Sequence, residues 1–223
     1  MTTTHSARLA GLVAVSAALT LGMAAPALAS DSGDSNAKAP NHRSHHVEFD
    51  EQNNSGAGGT AVLSLDGRKL TVKIYATGLV PGQPHAQHIH GSTTGKHFHC
   101  PDMTADKNKD GVLTTTEGLP AYGDINISLT TKGDTTKASA LAVDRMPVAD
   151  KDGSLSYSRT ITVSQAVADH IKNLHIVQHG IDPNGNGTYD FSKGKSELDP
   201  KLPQEATAPA SCGLIKGATP GMK

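Results

Sequence analysis

Pro84–Gly91 reads P-H-A-Q-H-I-H-G, and its histidines are spaced for chemistry. His88 and His90 are two residues apart, so on an extended strand both imidazoles leave the same face. Neutral imidazole is the commonest metal ligand and suits copper and zinc, and two on one strand face make half a site. His85 falls one step off that alternation, in a position suited to a turn or to supporting the ligands. A distant run, H-I-V-Q-H-G, supplies His179 as the third candidate, with His175 four residues earlier on the same face. Taken singly, each of these histidines also fits an exposed or hydrogen-bonded role without a metal.

Asp106–Glu117 (D-K-N-K-D-G-V-L-T-T-T-E) carries a different chemistry. It matches a twelve-residue calcium loop at each informative position. Asp106, Asn108 and Asp110 stand at one, three and five, Gly111 at six, the Val112 carbonyl at seven, Thr114 at nine and Glu117 at twelve. Calcium takes six to eight oxygens, which carboxylates, an amide, a carbonyl and water supply together. The alternative is a solvated turn. Asp182–Asp190 imitates the first half of such a loop but places Lys193 where the closing Glu would fall. There, a tight Asx/Gly turn and a ligand set both remain open.

These residues need a scaffold, and the chain supplies strands. Thr60–Leu65, the alternating Leu70, Val72, Ile74 and Ala76, Tyr122–Thr131, Ala138–Val143, Leu155–Val163 and Leu174–Gln178 all read as strands. Asp66-Gly67 is a tight-turn pair between the first two. Ser164 is placed to cap a short helix over Gln165–Lys172, whose polar side carries Asp169 and His170. Ser92–Pro120 has no period and is long for a connection, which marks a functional loop. Short strands with little helix predict an all-β sandwich or flattened barrel.

Composition bounds the function. Residues 1–29 read as a secretory signal, with Arg8 ahead of the apolar run Leu9–Ala25 and Ala27-Leu28-Ala29 at the cleavage point. Residues 30–45 read as a flexible polar leader, 46–217 as the folded domain and 218–223 as a tail. His42, His45 and His46, at the end of the leader, are expected to be solvated. The signal holds one of the 20 Lys and Arg and none of the 21 Asp and Glu, so the remainder is 19 − 21 = −2. No basic face remains for nucleic acid, and no membrane association is expected after cleavage. Cys100 and Cys212 are the two cysteines, and export favours one intramolecular disulfide over two free thiols.

G-L-V-P-G-Q-P-H-A-Q-H-I-H-G resembles the Cu/Zn superoxide dismutase motif that leads into a paired-histidine copper strand. Cys100, S-C-G-L-I-K-G and the run ending in L-H-I-V-Q-H-G resemble that family's disulfide segments and late copper strand. The resemblance spans about 60–217 and implies an eight-stranded Greek-key barrel with long metal-site loops, its disulfide joining Cys100 to Cys212. CHRD-type domains are a weaker match. It implies copper on His88, His90 and His179, with His97 or His99 as substitutes for a fourth ligand. Tyr122-Gly123-Asp124 resembles the segment carrying the zinc aspartate, which makes Asp124 a remnant ligand. Departures from the family are specific. No histidine lies between Cys100 and His170, Ala121 stands in a zinc-histidine position, and Ala208–Ser211 lacks the anion-guiding arginine. A conventional zinc site is therefore not expected.

Two functions follow. One is a secreted, copper-dependent superoxide dismutase, its partner superoxide. The other is a non-catalytic exported module that binds copper ion or calcium, or a CHRD-like structural domain.

Overall fold

The computed structural model describes residues 42–217; the expected signal peptide, leader residues 30–41 and the tail 218–223 lie outside them. The strands are β1 (His42–Glu51), β2 (Gly58–Asp66), β3 (Lys69–Thr77), β4 (Gln87–Gly91), β5 (Ile125–Ser128), β6 (Leu155–Thr162), β7 (Leu174–His179), β8 (Pro209–Leu214) and a short β9 (Lys216–Gly217). They form one curled antiparallel sheet in the order β5-β4-β7-β8-β1-β2-β3-β6, with β9 on β1. The crossover from β3 to β4 sets strands distant in sequence side by side, and the fold is an all-β Greek-key barrel or sandwich.

Alternation builds its interior. Leu70, Val72 and Ile74 of β3 face Leu65, Leu63 and Ala61 of β2 on the inner side, with Ala76 opposite Gly59, while the intervening residues are mostly exposed. Gly67 makes the intervening turn at φ +56°. β4 and β7 are buried on both faces, because loops cover their outer side. Ile89 and Ile176 pair across that junction, and both are fully buried in the core. β5 and β6 are the unpaired edges of the sheet. Arg159 of β6 reaches the Thr130 carbonyl at 2.6 Å, and Tyr157 reaches the same carbonyl at 3.1 Å.

Four expectations change. The strand read over Tyr122–Thr131 shortens to β5, because Tyr122 ends a helix and Gly123 turns the chain at φ +72°. The leader does not run to residue 45, because β1 begins at His42 and pairs with β2 from His42↔Asp66 onward. Main-chain pairing needs no apolar side chains, so polar composition hid the first four residues. His45 is buried, whereas His42 and His46 are exposed as expected. Ala138–Val143 forms no strand; tight helical turns occupy Lys137–Ser139 and Val143–Arg145. There the Asp134 carboxylate accepts from the Thr136 and Ser139 hydroxyls, and Arg145 donates to the Lys132 and Asp134 carbonyls. These local bonds curl the segment more effectively than its small apolar residues extend it. Finally, the long loop contains a helix, α1 (Thr115–Tyr122). Thr114 and Glu117 form a reciprocal capping box at its start, and the helix contains Pro120.

The expected short helix forms as α2 (Gln165–His170), capped by the Ser164 hydroxyl. A last helical turn, α3 (Gln204–Thr207), precedes β8. Cys100 and Cys212 are bonded, pinning the loop before α1 to β8 across 112 residues. Among the described residues, no helix is long and apolar enough to cross a membrane.

Replacing both cysteines by serine removes this closure and is expected to cost about 2–5 kcal/mol. A urea unfolding series against the parent measures it. A double variant with an unchanged midpoint would show that the barrel holds the loop unaided.

Candidate metal centre

The site is built on the outer face of β4 and β7. Cα registration sets His90 opposite His175 and His88 opposite Val177, so these side chains share one face. Alternation along β7 puts His179 on the same face as His175 and Val177, and its N–H donates to the Ala86 carbonyl just ahead of β4. His88, His90 and His179 therefore converge, with one nitrogen of each lying within 4.8 Å of the others. All three are buried, at 4 %, 1 % and 2 % exposure.

Hydrogen bonding sorts the two nitrogens of each ring. His88 Nε2 lies 3.1 Å from the Ala140 carbonyl, His90 Nδ1 2.9 Å from that of Gly123, and His179 Nδ1 2.7 Å from that of Thr207. A carbonyl only accepts, so these nitrogens carry the protons. The others, His88 Nδ1, His90 Nε2 and His179 Nε2, are buried without a protein partner. Three lone pairs are thus left facing a common centre. Buried polar atoms without partners are costly, and a metal ion is the partner this donor set fits.

Electrostatics keeps the rings neutral. Burial, reinforced by the neighbouring His179 and His90, holds His88 well below the ordinary imidazole range. Burial takes His90 down to about 3 and His179 down to about 4, against the opposing carbonyl bonds of Gly123 and Thr207. No proton then competes with a cation near neutral pH.

Other parts of the site carried little sequence signal. Tyr122 is fully buried with its ring 4.7 Å from that of His90, and its hydroxyl donates to the Thr115 carbonyl at 2.6 Å. The Thr115 hydroxyl bonds the Thr207 carbonyl that orients His179. Gly123 turns at φ +72°, where a Cβ would press within 2.8 Å of the Phe98 ring. The orienting groups are backbone carbonyls, which any residue supplies. Only the Gly after Tyr122 could have marked one.

The remaining candidates lie elsewhere. His175 is buried, stacks on His90 at 6.3 Å and has two unpartnered ring nitrogens, but it stands outside the converging group. His85 supports from behind: Nδ1 lies 2.9 Å from the His179 carbonyl and Nε2 3.2 Å from that of Val80. His97 and His99 are exposed on the loop before Cys100 and do not join the cluster. Asp124 is bound to Lys137 at 2.6 Å and accepts from the Ile125 N–H. It belongs to no metal-ligand cluster among the described residues, so the remnant zinc role finds no second ligand.

The calcium-like loop is folded on itself. Asp106 accepts from the Lys109 and Gly111 N–H groups at 2.8 and 3.0 Å, Asn108 from Asp110 at 2.9 Å, and Asp110 from Val112 at 2.9 Å. Glu117 reaches back to the Lys107 and Asn108 N–H groups and to Thr114. Burial raises the Glu117 carboxyl, but these bonds outweigh it and hold it below its usual range. Asp182–Asp190 makes the same kind of turns, with Asp182 accepting from Asn186 and Gly187. At its end, buried Glu205 accepts from the Asp190 N–H and the Ser192 hydroxyl, and Tyr189 donates to the Pro84 carbonyl.

The depressed histidines make a pH prediction. Between the unfolded value near 6.5 and the folded values of about 3 and 4, the unfolded chain binds more protons. Stability of the metal-free protein should therefore fall as pH drops below 6.5 and level off below the folded values. Melting temperatures from pH 7 to 3 test this. His90→Ala should flatten the slope; an equal slope in that variant would place the protons elsewhere.

Neither a protein-family model nor a curated protein matches this chain, so its function is argued from the site itself.

Proposed function

We propose that the protein is an exported, superoxide dismutase-like copper protein, with His88, His90 and His179 as the copper ligands. The observation carrying this reading is the convergence of three lone-pair nitrogens whose opposite nitrogens are held by backbone carbonyls. Three neutral imidazoles with an open side suit copper in both oxidation states. The disulfide suits an oxidising compartment outside the cytoplasm.

Bound copper would supply one-electron exchange with superoxide. The chain's own contribution is placement. The carbonyls of Ala140, Gly123 and Thr207 fix the tautomers, so little reorganises when the ion binds. Tyr122 and the disulfide anchor the loop that delivers the Gly123 carbonyl. Lys137 stands at the cavity edge but is paired with Asp124, which leaves little attraction for an incoming anion.

Copper-loaded protein is expected to dismute superoxide in the presence of a chelator that silences free copper. The rate should fall short of the diffusional ceiling and respond weakly to salt, since steering is what salt screens. His88→Ala and His179→Ala should each lose the bound copper and the activity together. Copper bound through these histidines without chelator-resistant turnover would reject the enzyme and leave a copper-binding module.

The loop Asp106–Glu117 is proposed as a calcium site. Its carboxylates do not converge as a ligand group in the structure, and the support is the register of oxygen-bearing residues along the loop together with the reach of Glu117 across it to the Lys107 and Asn108 N–H groups. Calcium should then raise the melting temperature while equal magnesium does not, because magnesium demands tighter octahedral geometry. Glu117→Gln should abolish the shift. A variant that responds to calcium like the parent would reduce the loop to a turn.

A further inference from the structure

Above the histidines lies a cavity of about 330 Å³, with His88, His90 and His179 among its lining residues. This volume is that of a small-molecule site, far larger than a diatomic anion needs. Its walls come from three separate stretches and are apolar: Leu119 of α1, Ile125, Leu141 and Met146 beyond it, and Leu198 and Ala206 opposite. Leu119, Leu141 and Leu198 stay 42 %, 37 % and 42 % exposed, which is unusual for leucines gathered around one opening. The charged side chains at its edge, Lys137 and Asp124, neutralise one another. In the metal-free chain, a carboxylate or phosphate entering here would lose water and meet no free cation.

We infer that this cavity binds a small, uncharged, mainly apolar organic molecule with one phenol-type oxygen. Its apolar body rests against Leu119, Leu141, Leu198 and Met146, and its oxygen faces the three histidines. A neutral hydroxyl is the donor that crosses an apolar wall cheaply and still offers a lone pair to an ion at the triad. The oxygen's partner rests on the copper reading given above; the apolar body does not.

The experiment uses the full chain, metal-free and copper-loaded, with 4-tert-butylphenol, tert-butylbenzene and 4-tert-butylbenzoate as probes. Calorimetry should show saturable binding of the phenol and the hydrocarbon to the metal-free chain, with the benzoate at least about tenfold weaker. Leu141→Gln with Leu198→Gln should weaken the phenol about tenfold, since two apolar contacts are lost. Both leucines are partly exposed, and an unchanged melting temperature verifies the fold. In the copper-loaded chain the phenol, and not the hydrocarbon, should shift the copper(II) electron paramagnetic resonance spectrum. No saturable binding to either form overturns the inference, as does phenol binding unaltered by the leucine substitutions or preference for the benzoate. If copper fails to bind the histidines while the metal-free chain takes up the phenol, the copper reading falls and the apolar site stands.

Discussion

Everything at the centre depends on three hydrogen bonds between imidazole and main chain. Each histidine of the triad gives one nitrogen to a carbonyl, from Ala140, Gly123 and Thr207, and presents the other inward. An imidazole that rotated freely would expose either nitrogen or take a proton. Here rotation breaks a bond made by a buried ring, in surroundings where an unpaired polar group is costly. The tautomer is therefore decided by the fold before any ion arrives. It is decided three times, by segments that the sheet alone does not position.

Those segments explain why so much structure lies outside the barrel. The Gly123 carbonyl is held by α1, whose last residue Tyr122 packs in a small cluster with Val177 and the disulfide. The Thr207 carbonyl sits at the end of α3, braced by the Thr115 hydroxyl from α1. The Ala140 carbonyl belongs to the turn tied down by Asp134 and Arg145. Gly180, immediately after His179, could not carry a side chain without striking Tyr189 and His85. Each support is local and modest in energy. Together they leave the rings one arrangement.

Much of this was legible in the sequence. Alternation in β3, the Asp-Gly turn and the Ser164 cap all act through local geometry, and local geometry is what a single chain displays. His88 and His90 declared their shared face by a spacing of two. His179 was within reach of the same argument through its even spacing from His175, although the pairing of β4 with β7 that brings the two runs together leaves no mark on the residues. Two kinds of feature were hidden. Ala138–Val143 looked extended because it is a short, nearly continuous apolar run, while polar neighbours outside the run curled it. Ala140, Gly123 and Thr207 act through their carbonyls, so their side chains gave no hint. His97 and His99, judged by residue type and nearness to Cys100, stand away from the centre because the exposed loop carries them outward.

The use of main-chain carbonyls has an evolutionary consequence. A group that every amino acid possesses cannot be lost by point substitution, so the orientation of the ligands is shielded from most single-residue change. What endangers it is a change in the path of the chain: a deletion, an insertion or a displaced turn. Apart from the few residues that hold the turns, such as Gly123, Tyr122, Asp134 and Arg145, the covering loops are thus freer to vary in wording than in length and shape. Selection on such a centre would act on backbone geometry, and its history would be written in gaps more than in substitutions.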